Sequence, residues 1–253
     1  MPARTRDWFR AATMFTAPVA LFAMILYHPF LAYTTVTVEG LAEVIETDPT
    51  RWSLTHMLAV GALALLVLAF QGLHDMLREA GEERWSSFGL PLVTVALVFL
   101  AALAGKEPTV AAVSQTGTDV LALVQATSPS TVVLFVASAV TFLFGALAFA
   151  MGAMRAVIMG RTMTALVVVA LVVLGVAMLT PLFTIGYVIG AAAIVAFWPP
   201  AWAAARGGPV AESGSGERAT PDEGERSTAP PPRAADRRGV FRHSGRYGSH
   251  TGH

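Results

Sequence analysis

The chain has 253 residues, of which 55% are hydrophobic and 13% charged, with a formal net charge of zero. Soluble domains carry about a quarter charged residues, so this composition excludes an ordinary water-soluble globule, and the neutral balance offers nothing to attract nucleic acid. Cysteine is absent, which rules out disulfides, thiolate metal sites, iron–sulfur clusters and cysteine nucleophiles.

Arg4, Arg6 and Arg10 precede a first apolar segment at about 11–27. It could pass for a secretory signal, but Tyr27-His28-Pro29 holds no small-x-small cleavage pattern and more apolar segments follow, so a retained helix is expected. Pro18 predicts a kink inside it. Between 31 and 48, Glu39, Glu43 and Glu46 share one helical face and Val38, Leu41, Val44 and Ile45 the opposite one, which predicts a short amphipathic helix on the outer surface. Gly40 weakens that helix.

A second span at 49–70 opens with Asp48 as N-cap and Pro49 at the first helical position. A third follows at about 87–103. The stretch 106–129 places Val110, Val113, Val120, Leu121 and Val124 on one face and Ser114, Gln115, Thr118 and Asp119 on the other, predicting a second outer amphipathic helix. The fourth span is 130–154.

The run 162–205 is 44 residues without Lys, Arg, Asp or Glu. About 20 apolar residues cross the ~30 Å hydrocarbon core, so this run holds two spans, 162–179 and 182–198, with Pro181 at the hairpin. The expected fold is therefore all-α: a polytopic six-transmembrane-helix bundle over residues 1–205, with two short outer helices and the lipid bilayer as partner. Residues 206–253, rich in Gly, Pro, Ser, Thr and Arg with Pro230, Pro231 and Pro232 in a row, cannot build a core and are expected to be disordered. This tail could engage a cytoplasmic partner, and Arg237, Arg238, Arg242 and Arg246 could touch anionic lipid.

Basic residues in short loops set orientation. Arg4, Arg6, Arg10, Arg78, Arg84, Arg155 and Arg161 fall on one side, against Arg51 and Lys106 on the other. The first side is expected to be cytoplasmic and to hold both termini, in a cell membrane. Trp8, Trp52, Trp85 and Trp198 fall at span ends, as in an interfacial aromatic belt. Gly186 and Gly190 form a GxxxG and are candidates for a homodimer seam or for packing within the bundle, as are the small residues Ala146, Ala148, Ala150 and Gly152.

No Asp, Glu, Lys or Arg lies mid-span in the six predicted spans, although such groups are the default markers of membrane pumps and carriers. Three histidines remain as candidates. His56 and His74 are 18 residues apart and hence separated by ~27 Å of helix rise. His28 and His56, by contrast, both approach the outer side on consecutive helices, beneath Glu39, Glu43 and Glu46. Two imidazoles and a carboxylate (His28, His56 and Glu43) suit a divalent metal such as zinc or iron, and two imidazoles alone suit a haem. The alternative is structural, with His28 capping a helix end and His56 bonding a backbone carbonyl or hydroxyl. His74, beside Asp75 and Arg78, reads as a helix-end residue.

Tyr27-His28-Pro29, Asp48-Pro49-x-x-Trp52-x-x-x-His56 and Gly72-Leu73-His74 resemble a broad group of small, uncharacterised six-helix bacterial integral membrane proteins. The resemblance covers the first two spans and implies fold and membrane location, with no activity to carry over. Three functions fit the sequence: a non-enzymatic structural or interaction role, which leads; a metal- or haem-binding protein; and a transporter or channel for a neutral solute.

Overall fold

An apolar run leaves the backbone no hydrogen-bond partner except itself, and helices result. The computed structural model describes residues 3–29, 37–180 and 185–206. Its elements are α1 (Ala3–Tyr27), α2 (Val38–Thr47), α3 (Pro49–Glu79), α4 (Arg84–Ser114), α5 (Val120–Ala156), α6 (Arg161–Ala177) and α7 (Gly186–Ala205). The described residues form no strand. The predicted hairpin proline, Pro181, and the tail from 207 onward lie outside the described residues.

Five helices, α1, α3, α4, α5 and α7, are long and apolar enough to cross a bilayer. α6 is shorter at 17 residues, a rise of about 25 Å. α1, α3, α4, α5, α6 and α7 each pack on the next, and α7 returns to α1, so the six close into a ring. Start signals act as the sequence predicts. The Asp48 carboxylate accepts from the Arg51 amide at 2.9 Å, with Pro49 in the first turn of α3. Thr37 caps α2 by accepting from the Gly40 amide at 3.1 Å. α1 runs through Pro18 as a single element. Tight reversals join α3 to α4 and α4 to α5, each using a glycine in the left-handed region, Gly81 at φ 84° and Gly117 at φ 77°, where a Cβ would be strained.

The interior is built from small residues around a few large ones. Ala62, Ala69, Ala96, Ala146, Ala193 and Ala196 are buried, while Val, Leu and Phe crowd the outward faces, Val133 reaching 67% exposure. Phe70 of α3 sits at the centre, with ring centroids 5.8 Å from Phe142, 5.1 Å from Phe149 and 4.9 Å from Phe197. Those separations and tilts are the favoured edge-on and offset arrangements of aromatic pairs. Gly186 and Gly190 face α1 of the same chain: a Cβ on them would fall 2.8 Å from Ile25 and 2.2 Å from Phe22. A homodimer through this pair would have to displace α1.

At the arginine-rich end, Arg10 belongs to α1 itself and is buried at 4% exposure. Its two terminal nitrogens donate to Glu79 of α3 at 2.8 and 2.7 Å, with Asp75 at 3.5 Å and Arg6 adding a 2.9 Å pair to Glu79. This bidentate fork fixes the rotation of α1 on α3.

At the opposite end the structure corrects the predicted second outer helix. α4 continues unbroken to Ser114 and α5 begins at Val120. The predicted apolar face is present, but it belongs to the projecting ends of two long helices joined by a five-residue turn. Val110 and Ala111 of α4, Val120 and Val124 of α5, Ala42 and Ile45 of α2 and Trp52 of α3 form a second small core. Both long helices exceed ~30 Å; the 37 residues of α5 rise about 55 Å. The amphipathic signal was genuine, but it marked a cap built on a hairpin.

α4 and α5 approach most closely where Gly89 faces Gly145. A Cβ on Gly145 would lie 2.6 Å from a Val93 methyl and 2.9 Å from the Val93 backbone nitrogen. Gly145→Ala should lower thermal stability in detergent by about 1–3 kcal/mol. Gly61→Ala, which meets nothing within 4 Å, should be neutral or slightly stabilising. Equal melting temperatures for Gly145→Ala and wild type would show that the helices are not this close.

Candidate functional site

Trp52, on the first turn of α3, belongs to the second small core. Trp52 is 2% exposed and its indole N–H donates to Glu107 of α4 at 3.2 Å. It is therefore not a member of the interfacial belt suggested by its position. Trp8 and Trp198 are exposed as that role requires.

One turn on, His56 bonds the Trp52 carbonyl through Nδ1 at 2.8 Å. A carbonyl only accepts, so Nδ1 carries the proton and Nε2 is the acceptor nitrogen of the neutral ring. Rings of Trp52 and His56 lie 4.3 Å apart by centroid. His28, just past the end of α1, completes the group at 5.4 Å from His56 and 5.5 Å from Trp52. Arg51 holds this corner by donating Nε–H and Nη2–H to the Tyr27 carbonyl at 3.1 and 3.0 Å.

The structure thus brings His28 and His56 together, as their sequence positions suggest, and realises the expected carbonyl bond of His56. Glu43 does not join them. It lies on the exposed face of α2, whose inward face is taken by Ala42 and Ile45. Among the described residues no three His, Asp or Glu side chains converge to hold a metal ion. Nor do the two imidazoles flank a haem-sized gap, since their rings meet edge to face. His74 is remote on α3 and its Nδ1 is buried without a hydrogen-bond partner.

The carboxylate that accompanies the histidines is Glu107. It lines, with His28, His56, Thr131 and Thr180, one end of a cavity of about 700 Å³. The remaining wall is apolar, built by residues such as Leu21, Ala59, Leu63, Leu100, Val136 and Ile189 from α1, α3, α4, α5 and α7, with Met178 and Leu179 from just past α6. Beyond Leu63, toward the arginine-rich end, the same helices close over the packed Phe70 cluster. Lys106 neutralises the polar end: its ammonium lies 3.6 Å from Glu107 and donates to the Thr131 hydroxyl.

Sequence reading missed Glu107 because the apolar span was ended at residue 103. Carrying the helix on by one turn would have exposed an ionisable residue in an apolar pattern, the usual mark of a membrane site. No family model, curated protein or solved structure matches this chain.

Burial, with smaller contributions from His56 and Arg51, pushes His28 down to about 3 from its ordinary 6.5. The folded protein therefore holds His28 neutral while the unfolded chain takes up a proton near pH 6.5. The folded state is penalised as pH falls below 6.5, and the penalty stops growing near pH 3. An imidazole nitrogen NMR titration should show His28 uncharged at pH 5. Protonation with a midpoint near 6.5 would mean that the ring is solvated.

Proposed function

We propose that this protein is a six-span integral membrane protein that holds a small amphipathic molecule in its outer half, with a binding rather than a catalytic role. The cavity carries this reading. It has about 700 Å³, within the ~300–1,000 Å³ of small-molecule sites, and it follows their pattern of apolar walls with a few convergent polar groups. α6 serves as the sixth span at the short end of the workable range, supported by its place in the closed ring between α5 and α7.

Orientation rests on the positive-inside bias. The end carrying Arg6, Arg10, Arg78, Arg84, Arg155 and Arg161 faces the cytoplasm of a cell membrane, with both termini, and the α2 cap and the histidines face outward. The molecule bound between the helices stands in place of the neutral solute considered from sequence. Further along the same bundle the core is packed around Phe70, which favours holding over passage.

Two experiments test this. The chain lacks cysteine, so single cysteines report topology cleanly. Glu43→Cys should react with an impermeant maleimide on intact cells, and Glu83→Cys, exposed beside the α3–α4 reversal, only after permeabilisation; the reverse pattern would overturn the orientation. For binding, organic extracts of the purified protein should contain a co-purifying molecule of lipid character. Ala59→Trp, which fills the cavity, should lose it while retaining a cooperative melting transition. The same extract from Ala59→Trp and wild type, both folded, would sink the binding reading.

A further inference from the structure

Resting on the cavity reading above, we infer that the occupant is a single-chain neutral lipid whose head donates a hydrogen bond, a long-chain alcohol, entering sideways from the bilayer between α5 and its neighbours. The head chemistry follows from which hydrogens are already committed at the polar end. His56 uses its N–H on the Trp52 carbonyl at 2.8 Å, so it offers the cavity an acceptor. Glu107 receives the Trp52 indole hydrogen on Oε2, and each carboxylate oxygen has room for a further donor. The Thr131 hydroxyl donates to the Thr127 carbonyl at 3.0 Å and accepts from Lys106. Three of the five polar side chains lining the cavity are thus acceptors to a ligand or are already engaged.

A head that only accepts, such as an ether, would leave His56 and Glu107 unanswered in an apolar surround, which is costly. An anionic head would meet the Glu107 carboxylate. A cationic head is not called for either, because Glu107 already has Lys106 as counter-ion at 3.6 Å. A hydroxyl donates its one hydrogen to His56 or Glu107, which an ether cannot do, and brings no charge.

The route follows from a second surface feature. Val132 and Val136 line the cavity and are also 56% and 52% exposed on the outer face of α5. There they border a shallow groove with Val133, Ala137, Val140 and Thr141. Cavity and groove share these two valines, so at this point a single layer of side chains separates the pocket from the apolar face of the bundle. An alkyl chain can lie along α5 while its hydroxyl donates to His56 or Glu107.

The test uses the full-length protein in detergent micelles and four radiolabelled hexadecyl probes that differ in head group alone: the alcohol, its methyl ether, hexadecanoate and hexadecylamine. The alcohol should bind saturably, the ether about tenfold more weakly, and hexadecanoate more weakly than the ether. Glu107→Gln should narrow the gap between alcohol and hexadecanoate, and Val136→Trp should slow uptake of the alcohol. Ala59→Trp should abolish binding of all four. If the four probes bind alike, or the amine or the acid binds best, the head inference fails and the cavity reading stands. If none binds saturably, or Ala59→Trp binds as wild type does, the cavity reading itself fails.

Discussion

Apolar side chains on the outward faces constrain everything else here. A soluble helix places one apolar stripe inward and charge outward. In this chain Val98, Val133, Phe144, Val169 and Val176 point away from the bundle, and inside and outside are almost equally greasy. Hydrophobicity then gives the helices no reason to choose one face over another. Choice falls to fit and to polar contacts. The glycines and alanines supply the fit, at Gly89 against Gly145 and at Gly190 against Phe22, where the absence of a side chain lets a neighbour close in.

Polar contacts fix rotation: Ser138 of α5 donates to the Ala96 carbonyl of α4 at 2.9 Å in mid-bundle, and the others lie at the two ends. Arg10 with Glu79 locks α1 to α3 at one end, and Arg51 with the Tyr27 carbonyl locks the same two helices at the other. Glu79 is half-exposed and the Arg51 bonds are exposed, so these contacts contribute little net stability and specify register more than they stabilise. Between them α1 and α3 are aligned like a ladder held at both ends. That alignment carries His28 over His56.

The binding geometry follows from the same alignment. Trp52 is shared between the cap core and the site, and its indole and carbonyl bond Glu107 and His56 respectively. One residue thus orients an imidazole and a carboxylate that belong to different helices. Small side chains at Ala59 and Ala104 leave the space below them open, while the aromatic cluster around Phe70 fills the bundle further in. The proposed pocket exists because bulk is placed on one side of Leu63 and withheld on the other.

Much of this was legible in the residue order. Charge-free runs specified helices because an apolar environment allows the backbone little else. Asp48 and Pro49 gave the start of α3, and the proximity of His28 and His56 followed from consecutive spans that place both histidines near the same side. What the order did not contain was which of several near-equivalent apolar faces turns inward. Periodicity distinguishes inside from outside only where the two differ in polarity, as on α2, whose acidic face was read correctly. Where α4 passes from apolar core to cap, the pattern changes without a break in the helix, and so Glu107 was assigned to a surface segment. Only tertiary packing set it against Trp52, and only packing turned Glu43 away, because the inward side of α2 was already claimed by Ala42 and Ile45.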